Sequence, residues 1–509
     1  MPRFSSKVKE IHDSLRYKLN MEKANQLQNK LSDPLDIAIS ELFIAYYNLY
    51  FQQLTLFLKR LNKVEDINKA LKDKFVQFIT NCHYYSYYNG MNNPTVSKGQ
   101  AEKYLESMEK SYEELDCQDD WEKFYCSGLY YLMRAQATED SSKAIQFQKQ
   151  CIKAFSLIPE DGKYYSASGY NNLGLYYLRI GNFQEAENSF NIALDIHENY
   201  ANRLQLLPLS NLMALNYMKG NLGQTKDLIE RGIEIAKRYK DIFGISNYLS
   251  YKGICSFQEA KYDEAIKEKK ESLKYRIQYG DPLHLFWGYF DIFDFYYKRY
   301  KMTNDDVFLT EAENVLIDLQ KLSSSHPDNK TMKNYNDFGD SLIWKHGNIK
   351  KRAKAMNILE NLLEIYPNEI RFSLNLLELL FDDVLQSEDQ DTIQQIDDLM
   401  ARIGKIPLRT NPEAVIGYSS QQIFLAKYNY YIRGDPGLAI EILRDTKDDI
   451  KNYNLNQLVN ELDRELEVLE KELTKWDNLD ISIKERIKAA KFGKYVQQAI
   501  QLKNSISEI

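Results

Sequence analysis

The alternation of apolar, small and polar positions between Tyr170 and Asn199, YNNLGLYYLRIGNFQEAENSFNIALDIHEN, predicts two helices and the turn that joins them. Leu173, Gly174 and Tyr177 repeat at helical spacing in the first segment, and Phe183, Ala186, Phe190 and Ala193 do so in the second. Gly181 stands between them, where a tight turn is needed. Glycine and alanine fall where two helices must approach closely, and the aromatic residues form ridges that fill the grooves beside them. The register recurs 39 residues on, over Ser210 to Ala236, through Asn211, Leu212, Gly220, Leu222 and Ile229. It recurs again 40 residues later, over Asn247 to Tyr275, through Gly253, Tyr262, Glu264 and Ala265. Three departures mark these copies as degenerate: Thr225 and Gly232 replace alanines, and Lys252 stands where an apolar residue normally packs. Fainter echoes lie upstream in Ala144 to Pro159, and downstream in Ala355, Leu359, Leu362 and Pro367. Another lies in Ala426, Tyr430, Gly434, Ala439 and Leu443, with Asp435-Pro436-Gly437 as its turn.

On these eight positions in register, Leu173, Gly174, Tyr177, Gly181, Phe183, Ala186, Phe190 and Ala193, the segment resembles a tetratricopeptide repeat. Its period is longer than the common 34 residues, like that of the subclass seen in kinesin light chains, spindle-orienting adaptors and some bacterial peptide receptors. The resemblance implies an all-α fold, a right-handed solenoid of antiparallel helix pairs forming a superhelix. Residues 1–95 then read as an amino-terminal helical cap, 96–325 as repeats that are clearest over 161–280, 326–450 as degenerate repeats, and 451–509 as capping helices. Ser32-Asp33-Pro34 carries the polar cap and early proline of a helix start, splitting a leading polar helix from a more apolar bundle. Leu455, Leu458, Leu462, Leu466, Leu469, Leu473 and Trp476 form a stripe, read as a long capping helix with a dimerising coiled coil as the alternative. Ile481 to Ser505 reads as a basic amphipathic helix.

Composition supports this picture. A chain of 509 residues exceeds what one core usually supports, and only 21 glycines and 11 prolines leave no long flexible linker. Charged residues make up 27% and give a net charge of -7, with both signs interleaved. That pattern argues weakly against a nucleic-acid surface, which needs a basic face. Cys82, Cys117, Cys126, Cys151 and Cys255 are an odd number with no CxxC pair, and read as buried hydrophobes in a reducing compartment. The start of the chain has no apolar secretion core, and Leu42 to Leu58 is broken by Asn48, Gln52 and Gln53. A buried scaffold helix and a cytoplasmic protein without membrane insertion are therefore expected. The acidic run Asp382 to Asp391 lacks the glycine of a calcium loop and reads as a solvated helix end.

No catalytic constellation emerges. The six histidines are scattered, and Gly220-Asn221-Leu222-Gly223-Gln224-Thr225-Lys226 has the wrong spacing for a phosphate loop and joins two helices. No cofactor or metal is expected. Binding is better supported: first helices of stacked pairs line a concave channel, and a carboxamide can both donate to and accept from a ligand backbone. Asn171 and Asn172 are assigned to the exposed face of one first helix, and Asn211 is the successor of Asn172. The ladder breaks at Tyr251, with Asn247 one turn earlier, and Arg179, Tyr217 and Gln258 project near the turns. The longer-repeat families resemble this arrangement, with Asn-Leu-Gly asparagines holding extended peptides. The 38 tyrosines include doublets in which one ring could pack while the other reaches the groove, with compositional bias as the plainer explanation. The expected function is a non-catalytic scaffold or adaptor binding a peptide or helical segment of a partner protein, with a homodimer through the carboxyl-terminal helix possible. The alternatives are a peptide-sensing regulator and an enzyme with an unrecognised site in the divergent ends.

Overall fold

The computed structural model describes residues 5–16, 20–50, 54–90, 98–159, 162–200, 203–219, 221–259, 261–367, 369–387, 390–403, 412–451 and 456–476. Those residues form helices, turns and no strand. The chain divides into two compact units, residues 1–209 and 210–509. In the first lie α1 (Ser6–Arg16), α2 (Met21–Gln28), α3 (Pro34–Tyr50), α4 (Leu54–Leu71), α5 (Lys74–Gly90), α6 (Lys98–Glu113), α7 (Asp120–Ala137), α8 (Ser141–Ser156), α9 (Gly162–Arg179), α10 (Phe183–Asn199) and a short 3₁₀ turn, Arg203–Gln205. The division falls within α11 (Leu206–Met218). The second unit continues with α12 (Leu222–Arg238), α13 (Ile242–Gln258), α14 (Tyr262–Tyr279), α15 (Pro282–Thr303), α16 (Asp306–Ser324), α17 (Lys330–Trp344) and α18 (Ile349–Ile365). It ends in α19 (Ile370–Ser387), α20 (Gln390–Ile403), α21 (Pro412–Tyr428), α22 (Pro436–Lys451) and α23 (Asn456–Trp476). Within each unit most consecutive helices pack on one another among the described residues, as an array of helix pairs requires.

Local chemistry explains where these helices start. Asp33, Asp140, Asn182, Asp241, Asp281, Asn329 and Asn348 each accept a backbone N–H from the first helical turn, supplying the bond that the helix itself cannot make. The 39 to 40 residue period is visible in the turns. The N–H of Asn182, Asn221 and Lys261 donates to the carbonyl of Tyr177, Asn216 and Ser256, at 2.9 Å in each case. Ala186, Thr225 and Ala265 follow at one register position, all with no exposed surface. Gly181 has φ of 74°, a conformation that a Cβ disfavours.

The best-preserved pair is held by shape. A Cβ at Gly174 would stand 2.4 Å from the Phe190 ring, so only glycine lets α9 and α10 meet there. Gly232 is explained the same way: the Tyr248 ring fills the space its missing side chain leaves. Thr225 is accommodated because its hydroxyl donates to the Asn221 carbonyl at 3.0 Å.

Several sequence expectations need adjustment. The apolar stretch Leu42 to Leu58 is not one helix: it ends α3 and opens α4, with residues 51–53 outside the described ones. No helix among the described residues is long and apolar enough to cross a membrane. In the acidic run, Asp382 and Asp383 are not merely solvated, because Arg352 holds them at 3.3 and 3.0 Å. None of the five cysteines forms a disulfide, and Cys117 is only half-buried. Leu462, Leu466 and Leu469 of α23 are buried within the chain against α21 and α22, so that part of the leucine stripe is already covered. Residues 477–509, including the basic segment from Ile481, lie outside the described residues, as do Leu455, Gly220 and the side chains of Leu458, Leu473 and Trp476.

Candidate functional site

The asparagines of the first helices occupy different environments. Asn172, Asn211 and Asn247 are half-buried on α9, α11 and α13, leaving part of each side chain accessible. Asn171 departs from its exposed-face assignment: it is 8% exposed. The reason is its ridge, since Tyr164, Ala167, Gly174 and Leu178 stand above and below it at helical spacing and are all buried. Tyr251 is buried, so the ladder position of α13 offers a ligand little. Arg179 is exposed, with its guanidinium 5.3 Å from the Tyr176 ring centroid, and Tyr217 is half-buried. The Gln258 side chain lies outside the described residues. The tyrosine doublets divide: Tyr164 and Tyr176 are buried beside half-buried Tyr165 and Tyr177, whereas Tyr84-Tyr85 and Tyr296-Tyr297 are buried at both positions.

A second group was not foreseen. By register, Phe190 and Ile229 are succeeded by Lys269, Ala193 and Gly232 by Ser272, and His197 and Ala236 by Arg276. All three successors are buried, so the inward face of α14 is polar where its counterparts are largely apolar. Lys269 Nζ donates to Ser250 Oγ at 2.6 Å and to Asp291 Oδ2 at 3.0 Å, and lies 5.1 Å from the Phe295 ring centroid. Arg276 lies 3.6 Å from the same Asp291 oxygen and donates to the His284 carbonyl at 3.1 Å. Ser272 donates to the Ser246 carbonyl at 2.7 Å, and Ser250 to Asp291 at 3.2 Å. Asp291 of α15 stands 40 residues beyond Tyr251, at the ladder position. Here a carboxylate faces two cations from the preceding helix pair. Lys252, the other departure, pairs with Glu230 at 2.6 Å.

Further along the unit, Glu378 of α19 accepts from Lys301 of α15 and, at 2.8 Å, from Lys345 at the end of α17; Lys345 also donates to Asn375 at 2.6 Å. Burial alone would raise the Glu378 carboxyl, but the two lysines outweigh it and hold it well below the usual carboxylate range. Burial lowers the Lys345 amine, and Glu378 only partly restores it. Charge pairing therefore prevails at Glu378, whereas burial prevails at Lys345. On α17, Asp340 accepts from Gln320 at 2.9 Å, and burial together with Asp337 pushes its pKa up to about 6. The Glu378 cluster joins α15, α17 and α19, and the Asp340–Gln320 bond joins α17 to α16.

Successive helix pairs, a 39 to 40 residue register and recurring turn bonds define an all-α helical-repeat protein of the tetratricopeptide type. No family model matches the chain, and no curated protein matches it. Among solved structures it is similar to a Rap protein complexed with competence and sporulation factor, at 13% identity over 86% of this chain and 98% of that one, with a TM-score of 0.45. It is also similar to the apo form of RapI, at 15% identity over 56% of this chain and 100% of that one, TM-score 0.42. A third is aspartyl phosphate phosphatase F from Bacillus subtilis, at 13% identity over 77% and 94%, TM-score 0.34. At these identities the likeness is one of fold alone.

Proposed function

We propose that this chain is a non-catalytic, cytoplasmic scaffold or adaptor, whose first helices hold a peptide or helical segment of a partner protein. The observation that carries this reading is a carboxamide recurring at one register position, Asn172 in the first unit and Asn211 in the second, each half-buried on its own first helix. A carboxamide is by its chemistry both a donor and an acceptor toward a ligand backbone, and the helix that carries it fixes where it stands. Asn247 extends the set one turn before the buried Tyr251, and Arg179 and Tyr217 are the next candidates for ligand side chains. We assign residues 96–325 and 326–450 to the binding array and the two ends to caps. The reading is tested by replacing Asn172 and Asn211 with alanine and quantifying partner capture from native cells against wild type. Loss of capture with unchanged helicity and melting is expected; unaltered capture sinks the site.

One observation favours a peptide-sensing regulator as the second reading. Glu378 ties α15, α17 and the helix that carries it into one cluster, so displacing any of them disturbs buried charges on the others. Solution scattering separates the two: a sensor changes dimensions when its peptide binds, and a rigid scaffold does not.

A further inference from the structure

Three cysteines converge in the first unit, around the turn between α6 and α7. Cys82 of α5 and Cys126 of α7 belong to one apolar core and are 1% and 0% exposed, whereas Cys117 stands in the turn and is half-buried. The helices beside the turn are tied together. The Tyr112 ring of α6 stacks on Tyr130 of α7 with centroids 4.1 Å apart, and its hydroxyl lies 3.0 Å from Ser127 Oγ. The turn itself is pinned to α7. The N–H of Gln118, in the peptide unit that Cys117 begins, donates to Glu122 Oε2 at 2.9 Å, and the Glu122 N–H donates to Asp119 Oδ1 at 2.9 Å.

Cys126 lies one helical turn beyond Glu122, on the same buried ridge. The pin at Glu122 therefore holds Cys117 over the stretch of α7 that carries Cys126, and the two side chains are hydrogen-bonded. That bond has a direction. Burial first, and then the bond itself, push the Cys126 thiol well above its ordinary pKa, so Cys126 keeps its proton and donates toward the Cys117 sulfur. A sulfur that accepts a hydrogen bond is eased toward thiolate, the form that attacks. Of the three, Cys117 is the one that water reaches.

We propose that Cys117 and Cys126 are a reversible oxidation site, which closes a disulfide between the α6–α7 turn and α7 when the chain meets hydrogen peroxide. The Cys117 sulfur attacks one peroxide oxygen, the O–O bond breaks, one water leaves, and Cys117 becomes the sulfenic acid. The Cys126 sulfur then displaces the hydroxyl from Cys117, and its proton leaves with that hydroxyl as a second water. Two electrons pass from the pair of sulfurs to one peroxide, and a reducing dithiol returns them. The site is independent of the asparagines on α9 and α11.

The test treats the full, folded chain with hydrogen peroxide, quenches with catalase, blocks the remaining thiols with maleimide in denaturant, and maps the peptides by mass spectrometry. Two of the five thiols should be lost to a Cys117–Cys126 cross-link lighter than its parts by two hydrogens, and dithiothreitol should restore all five. Cys117→Ser, at a half-buried position, should leave every remaining thiol reduced at the same dose. Cys126→Ala should strand the sulfenic acid and raise its capture by dimedone at Cys117. If that buried variant loses helicity, the wild-type cross-link and its absence from Cys117→Ser decide the matter alone. A wild-type chain that keeps all its thiols, or one in which Cys117 is oxidised while Cys126 still takes maleimide, overturns the proposal.

Discussion

The pair α9/α10 and the pair α13/α14 share a register and differ in what fills it. Between α9 and α10, Phe190 lies on Gly174 and Ala193 completes an apolar contact. Between α13 and α14, Lys269 takes the place of Phe190, and it is paired with Asp291 from the next helix. The comparison teaches that one helix-pair geometry can be maintained by dispersion or by buried charge. The second solution also links three helices, because the counter-ion comes from outside the pair. An apolar contact tolerates any neighbour of suitable volume, whereas Lys269 requires one particular carboxylate.

The largest expected effect breaks the polar layer. Asp291→Ala leaves Lys269 and Arg276 buried without their carboxylate, and should destabilise the second unit by about 3–5 kcal/mol, measured from denaturant midpoints. Phe190→Ala in the apolar pair should cost about as much, through the cavity it opens. A double replacement distinguishes them. Lys269→Leu with Asp291→Leu should recover only the part of the loss owed to Lys269, since an apolar pair of similar volume often matches a buried ion pair while Arg276 still lacks its carboxylate.

A smaller effect is expected at Glu378. Its carboxyl is held below its ordinary pKa by Lys345 and Lys301, so the folded state favours the charged form. The stabilisation is therefore complete above the ordinary carboxylate range and lost as pH falls through the lowered value. Glu378→Gln should weaken the unit at neutral pH and flatten its acid unfolding limb below about pH 4. The opposite sign is expected at Asp340, whose pKa is raised to about 6. Its folded state keeps a proton that the unfolded chain releases, so stability declines as pH rises from about 4 to 6. Asp340→Asn should remove that decline and stabilise the unit by about 1 kcal/mol at neutral pH, allowing for a half-buried side chain.

Much of this fold was legible in sequence because the α9/α10 pair states its packing in residue types: a glycine under a phenylalanine, and alanine at the close contact. The period followed from that one unit, and the turn bonds of Asn182, Asn221 and Lys261 repeat it. The polar layer was hidden for a physical reason. Glu268, Lys269, Lys270 and Glu271 are charged throughout, and charge alone does not reveal which of them turns inward. The register with Phe190 and Ile229 was the available signal. Asn171 was misplaced because adjacent asparagines look alike in sequence, although a 100° step puts one on the buried ridge and leaves the other accessible.

Partner capture by the Asn172→Ala, Asn211→Ala chain tests the binding account most directly. The account predicts that capture is lost while helical content and melting match wild type; capture at wild-type level by the folded double variant contradicts it.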